Sequence, residues 1–505
     1  MSDDLPDIDE LKGNPAAMHV LLVQMRGMLV QLEATLAQQN QMLSELREEN
    51  RELKRLLFGK SRERMPPVSS EIKKRSRKKK GDAEYRRRKA QQKRRENAEA
   101  KRKLPTVEVT HEIPADQCCC PVCGGTDLAD LGAGEVSYEY EFVPGRFVRK
   151  KHIRRKRACR CGAHVVTAPA PARVSDGVQY GPGFHAQVAV AKLADSLPLY
   201  RQAKQLKRAG VPICRSTLCD IFHRAASLLT PLHARILERV IESAYVNADE
   251  TPIQVQDIDK TRRAYIWTFI AETLAAYVYS PSRSGETAAK VLGDSQGYLQ
   301  VDGYSGYNAV TSPERRTRVG CLAHVRRYFW RALETAPDEA RHVLDLILDL
   351  YRVEYVAADR DVLGSEQHLA MRKARSAEIM ATWRSWLEAN EPLHPPRGPL
   401  GKAIRYALNN WKSLTVFLED PRLSLDNNLS ERQLRIVAIG RKNFLFLGHD
   451  DAGDNMAVLQ TLISSCELDG VNPVEYLTDV LMRIQTHPAS QIDDLLPDRW
   501  QPPDS

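Results

Sequence analysis

Four runs decide the fold: SAYVNADETPIQV (243–255), AYIWTFI (264–270), AAYVY (275–279) and GYLQVD (297–302). The first three are short and rich in β-branched and aromatic residues, so they read as a meander of strands with Asp249 on the first. A helical stretch opens at Glu286. The run from Gly297 to Val301 then reads as a further strand that leads directly into Asp302.

A three-strand meander with an acid on its first strand, then a helix and another strand ending in an acid, matches the ribonuclease H-like layout. Adjacent strands in that layout bring their acids together, where a pair of divalent ions about 3.5 to 4 Å apart can be shared. Carboxylates suit the purpose because Mg²⁺ prefers hard oxygen and keeps water positions open for a phosphate. A third acid is needed, and the best candidate lies in LDNNLSERQLR (425–435). Asp426 or Asn427 can cap a helix carrying Glu431, with Arg435 on the same face four residues on. Taken by itself the Glu431/Arg435 pair is also what a surface ion pair looks like, and Asp426 is a reserve candidate for the third acid. Residues 333–420 read as helical and charged, an insertion between Asp302 and Glu431. Cys321-Leu-Ala-His324 has metal-like spacing but supplies only two ligands, so it reads as a strand end beside the acids, with His324 placed to contact DNA.

Working back toward the N-terminus, residues 178–238 read as a helix-turn-helix. Pro198 starts one helix, Gly210 ends it, and Ser216 can cap the next. Lys204, Lys207, Arg208 and Arg215 make that region basic enough for DNA. Before it stand Cys120-Pro-Val-Cys123 and Cys159-Arg-Cys161, two Gly-flanked knuckles that fit a structural Zn²⁺, with Cys118, Cys119, His152 and His164 as possible substitutes. Alternation over 136–142 and 146–153 predicts a hairpin between the knuckles. Residues 73–103 carry seventeen Lys or Arg against four acids, a net +13 in a chain whose total is +9. Such a segment does not bury a core and is attracted to DNA phosphates. From Leu22 to Leu57 apolar residues recur in steps of three and four, with Asn50 at an a position, which predicts a parallel two-stranded coiled coil.

No apolar run is long enough to span a bilayer, and the acidic start MSDDLPDIDE lacks the pattern of a signal peptide, so a cytoplasmic protein without membrane contact is expected. The whole reads as a multidomain α+β chain. A leucine-zipper coiled coil (15–60) is followed by a basic linker (61–108), a zinc-ribbon-like segment (109–170) and the helix-turn-helix region (178–238). A ribonuclease H-like α/β core (240–332) is interrupted by a helical insertion (333–420), resumes with the third acid (421–465), and ends in a helical tail (466–505). A DNA-binding regulator would use the N-terminal modules but would leave more than about 250 residues without a role.

NADETPIQV, VDGYSGYNAV, GCLAHVRRYF and DNNLSERQLRIVAIGRKNFLFLG, together with LLFGKSRER, CPVCGG and PLYRQ, resemble the insertion sequence 66 family of bacterial transposases in the family's own order. The resemblance implies an Asp-Asp-Glu active site on Asp249, Asp302 and Glu431, using Mg²⁺ or Mn²⁺ to cleave DNA and transfer strands. It implies that Arg435, Arg441 and Lys442 position DNA, that element terminal inverted repeats and target DNA are the partners, and that small accessory proteins of the same element take part. Pairing two DNA ends calls for a homodimer or a higher assembly through the coiled coil.

Overall fold

Near the N-terminus the three-and-four periodicity becomes a 44-residue helix, α1 (Pro15–Phe58). Its seam residues Leu22, Met25, Leu29, Leu32, Leu36, Leu43 and Leu46 are 49 to 60% exposed, so among the described residues nothing covers this part of the stripe. The computed structural model describes residues 15–58, 91–92, 94–96, 99, 147–158, 165–167, 171–175, 179–312 and 314–502. Cys118, Cys119, Cys120, Cys123, Cys159, Cys161, His164 and most of the basic linker lie outside the described residues, as does the 136–142 arm of the expected hairpin. Residues 147–155 form no strand. Arg149, Lys150, Lys151, Arg154 and Arg155 are all exposed there. The pairing found lies just beyond, where β1 (Lys156–Ala158) runs antiparallel to β2 (Val165–Thr167).

Three helices lead into the sheet: α2 (Pro182–Leu193), α3 (Leu199–Arg208) and α4 (Arg215–Glu242). Pro182 occupies the first turn of α2, where its missing N–H costs nothing, and Gly210, at φ +80°, ends α3. Cys214, not Ser216, stands at the N-cap of α4, with its Sγ 3.0 Å from both Ser216 Oγ and Thr217 Oγ1. α4 is longer than a short recognition helix. Its apolar face, from Leu218 through Phe222, Leu229 and Ile236 to Val240, belongs to the same core as the sheet.

The sheet contains β3 (Tyr245–Gln256), β4 (Thr261–Ala271) and β5 (Leu274–Ser280) as an antiparallel meander, then α5 (Glu286–Leu292), β6 (Gly297–Gln300) and β7 (Arg316–Val319). Strand order is β5-β4-β3-β6-β7, with β6 parallel to β3 and β7 parallel to β6. Trp267, Phe269 and Tyr277 fill the core. Gly297, at φ +112°, admits no side chain because a Cβ would run into the Ala244 carbonyl, so it lets β6 enter tightly beside β3. The result is a mixed α+β fold with a five-stranded, ribonuclease H-like sheet.

After β7 comes α6 (Leu322–Ala332), and from there to residue 418 every regular element is helical: α7 (Pro337–Asp359), α8 (Glu366–Met371), a π turn (Arg372–Ser376), α9 (Ala377–Asn390), α10 (Pro399–Asn409), α11 (Trp411–Thr415) and two 3-10 turns. Arg372, 1% exposed, holds this helical unit together. Its guanidinium pairs with Glu354 at 2.7 Å and donates to the carbonyls of Phe417, Asp420 and Leu423 at 2.8 to 3.1 Å, which fixes the path of the outgoing chain. The chain then forms α12 (Asn428–Phe444), α13 (Asp450–Asp469) and α14 (Pro473–Arg483). α13 covers the β5 edge, with Thr461 Oγ1 and Ser465 Oγ accepting from the Tyr277 and Ala275 N–H groups at 2.8 and 3.0 Å.

Candidate active site

The β3–β6 register pairs Asn247 with Gln300. Continued by two residues, that register leads Asp302 toward Asp249, whose carboxyl feels the Asp302 charge. Each acid is oriented by backbone: Asp249 Oδ1 accepts from the Glu250 N–H and Asp302 Oδ1 from the Tyr304 N–H, both at 2.9 Å. Burial pushes the Asp249 carboxyl up to about 8, and the negative charges of Glu250, Asp302 and Glu431 push the same way against the Glu250 N–H.

The third acid arrives on a helix. Glu431 lies in the first turn of α12, and the start of that helix is pinned at several points. Asn427 is at the N-cap, but its amide does not cap; Nδ2 donates to the Ala248 carbonyl at 2.7 Å, one residue before Asp249. The Asn427 N–H donates to Cys321 Sγ at 3.2 Å, and the Leu322 N–H donates to the Leu425 carbonyl at 2.9 Å. Asp426 is consumed locally: it accepts from Tyr351 Oη at 2.5 Å and from the Asn428 N–H at 3.1 Å, and burial raises its carboxyl. Glu431 meets Arg327 at 3.3 Å, whereas Arg435 is exposed and makes no ion pair among the described residues.

His324 lies between the second and third acids, with Nε2 3.9 Å from Asp302 Oδ2 and Nδ1 3.9 Å from Glu431 Oε1. Burial lowers its pKa, and among the described residues its Nδ1 has no hydrogen-bond partner. Among the described residues no three His, Cys, Asp or Glu side chains converge closely enough to form a finished metal site. The donor chemistry nevertheless fits a divalent cation: hard carboxylate oxygens, mutual electrostatic repulsion, and a carboxyl at Asp249 with no cationic side chain bonded to it.

A second group of residues around the acids escaped the sequence reading. Glu250, its side chain 2% exposed, accepts from Tyr307 Oη at 2.7 Å and pairs with Arg283 Nη2 at 2.6 Å. Arg283 lies 4.2 Å above the Tyr304 ring, and Tyr304 Oη donates to the Arg283 carbonyl at 2.6 Å. Since the Tyr304 N–H also holds Asp302, this circuit links the two strand-borne acids from behind. The signal available in the sequence was Glu250 directly after Asp249 and two tyrosines just after Asp302.

Of the basic residues, Lys204, Lys207, Arg208 and Arg215 are exposed along α3 and at the start of α4, and Lys442 is exposed on α12. Arg441 is instead engaged with protein, donating to Thr251 Oγ1 at 2.8 Å and to the Pro252 carbonyl, and so holds α12 against β3.

The family model described as "Transposase IS66 family" matches residues 177–455, "IS66 C-terminal element" matches 461–497, and "zinc-finger binding domain of transposase IS66" matches 117–162. Relatives include two uncharacterized proteins of Sinorhizobium fredii (strain NBRC 101917 / NGR234). y4jD is 33% identical over 421 residues, covering 79% of this chain and 81% of the relative. y4hP is 31% identical over 411 residues, covering 77% and 74%.

Proposed function

The chain belongs to the transposase IS66 family, and from that premise we propose that Asp249, Asp302 and Glu431 together form its divalent-cation site for cutting and joining DNA. Two independent features support this reading. Sheet register leads the first two acids toward each other, and the Asn427 bond to Ala248 holds the helix of the third against the same strand.

The three carboxylates would hold Mg²⁺ or Mn²⁺, which supplies charge neutralisation at the scissile phosphodiester and a nucleophile at neutral pH. The chain's own part is to hold its carboxylates in place and to orient DNA. Asp249 keeps a proton on its carboxyl when no cation is present and gives it up on binding, so cation affinity rises with pH. Arg327 holds Glu431, and His324 lies between Glu431 and Asp302. Arg435 and Lys442 on α12, and Lys204, Lys207, Arg208 and Arg215 on the helical pair, would bear on DNA phosphates at the element ends and target, while Arg441 keeps α12 in place. In this reading hydrolysis of a phosphodiester frees a 3′-hydroxyl at each end, and that hydroxyl attacks a target phosphodiester in line, displacing a 3′-hydroxyl of the target strand.

Two accessory assignments go with it. The zinc-finger match spans Cys120, Cys123, Cys159 and Cys161, which supports those four as ligands of a structural Zn²⁺. The exposed seam of α1 supports pairing with a second copy as a coiled coil, which would bring two element ends into one complex. Among the described residues no helix is long and apolar enough to cross a membrane. The test is cleavage and strand transfer in Mg²⁺ on the DNA flanking the gene. Wild type should nick and join, whereas Asp249→Asn, Asp302→Asn and Glu431→Gln should bind that DNA and leave it intact. Cleavage by any of the three would remove that residue from the site.

A further inference from the structure

The helix that carries Glu431 ends in an unusual way. Leu445 has φ +65° and ψ −50°, and the Phe446 N–H donates to the Phe444 carbonyl at 2.8 Å, closing a three-residue turn. For a branched, non-glycine residue this is the rare and strained form of such a turn. It persists because both flanks are fixed. Phe444 packs against Gly440, where a Cβ would crowd its ring, and beneath Lys192 Nζ at 4.3 Å. Leu447 is buried and exchanges backbone bonds with Gln254 and Gln256 of β3, each at 2.8 Å. Between these anchors the turn drives two large apolar side chains into solvent, Leu445 63% and Phe446 43% exposed.

The surroundings indicate what meets them. From Arg432 to His449 the chain has four Lys or Arg and no acid, and Arg432, Arg435 and Lys442 are exposed without an ion pair among the described residues. A protein partner would meet an apolar tip with a strongly cationic approach, whereas a nucleic acid offers phosphates for the stripe and base faces for the tip. We propose that Leu445 and Phe446 form a wedge that inserts between stacked bases of the DNA held along α12, opening the duplex to one side of the bond to be cut. The wedge rests on the transposase reading, and the helix sets its reach. The fourteen residues from Glu431 to Leu445 span about 20 Å, roughly six base-pair steps of duplex.

The experiment uses the full chain with the DNA flanking its gene, 2-aminopurine being placed at successive positions around the cleaved bond. Binding in Ca²⁺ should raise fluorescence at one or two positions centred roughly six base pairs from that bond. Phe446→Ala and Leu445→Ala should abolish the rise, leave binding within about threefold, and slow Mg²⁺-dependent cleavage about tenfold or more. A mismatch at the same position should restore their rate, which a merely structural defect would not allow. Cleavage by wild type with no fluorescent position overturns the wedge and leaves the transposase reading standing. A shift in oligomeric state of Phe446→Ala with unchanged fluorescence also overturns it, and assigns the tip to a second copy. Absence of cleavage by wild type in Mg²⁺ counts against the transposase reading itself.

Discussion

The strand-borne acids and the helix-borne acid reach the site by opposite means. Asp249 lies on the long strand β3 and Asp302 just past the short β6 that pairs with it, and a slip of one residue in that register would turn a side chain to the other face. Glu431 is more than a hundred residues further along and depends on an entire helical unit returning the chain to its point of departure. Backbone pairing positions the first two acids. A handful of side chains positions the third: Arg372 at the insertion's exit, Tyr351 on Asp426, and Asn427 on Ala248. The two strand acids should therefore tolerate damage to the insertion, and Glu431 should not.

The largest effects would come from the acids themselves. Asp249→Asn and Asp302→Asn should each reduce cleavage by about a thousandfold or more in a single-turnover assay, with DNA affinity retained. Glu431→Gln should match them, and a much smaller loss there would break the equivalence of the three.

Next in size is the tie between the regions. Asn427→Ala removes the bond to Ala248 and leaves that carbonyl buried, so the fold should lose about 1 to 3 kcal/mol. Cleavage should fall about a hundredfold through displacement of Glu431. Urea unfolding read beside single-turnover rates separates the two. Loss of stability with normal cleavage would mean that α12 needs no such anchor. Arg372→Met should cost about 3 to 5 kcal/mol by leaving Glu354 with His368 alone and the Phe417, Asp420 and Leu423 carbonyls without their donor, an effect on stability first and on cleavage second.

A smaller effect is pH-dependent. The folded-state carboxyl of Asp249 titrates near 8 and its unfolded counterpart near the ordinary 3.8. The unfolded chain therefore releases its proton first. The stability this group contributes is complete below about 3.8 and is lost as pH rises through about 8. Cation-free wild type should melt lower at pH 8 than at pH 5 by more than Asp249→Asn does, and Mg²⁺ should narrow the gap at pH 8. Equal pH dependence in the two proteins would mean that the carboxyl is not held out of water. Smallest of all, Arg435→Ala should weaken DNA binding for all sequences alike and lower the salt slope by about one.

Legibility in the sequence followed the same division. The strands around Asp249 and Asp302 begin and end within three residues of their expected positions, because alternation and β-branched content act locally. Helix α5 begins at Glu286 as read. The neighbours of those acids were hidden: on a strand, Glu250 next to Asp249 looks like the solvent face, and only the fold brings Arg283 and Tyr307 to it. The partner of Glu431 was hidden for the same reason. Spacing favours Arg435, but Arg327 reaches it across the helices. The family resemblance implies that Arg441 positions DNA, while in the folded chain its guanidinium bonds Thr251. Local patterns carry such information, whereas contacts made across the insertion do not.

Iron-mediated backbone cleavage tests, without relying on turnover, whether all three acids serve one cation site. Fe²⁺ replacing Mg²⁺ in the full chain, with ascorbate and peroxide, should cut the polypeptide around residues 249, 302 and 431 together, and Asp249→Asn should abolish all three cuts. Cuts near 249 and 302 alone, or near 431 alone, would contradict a single shared site.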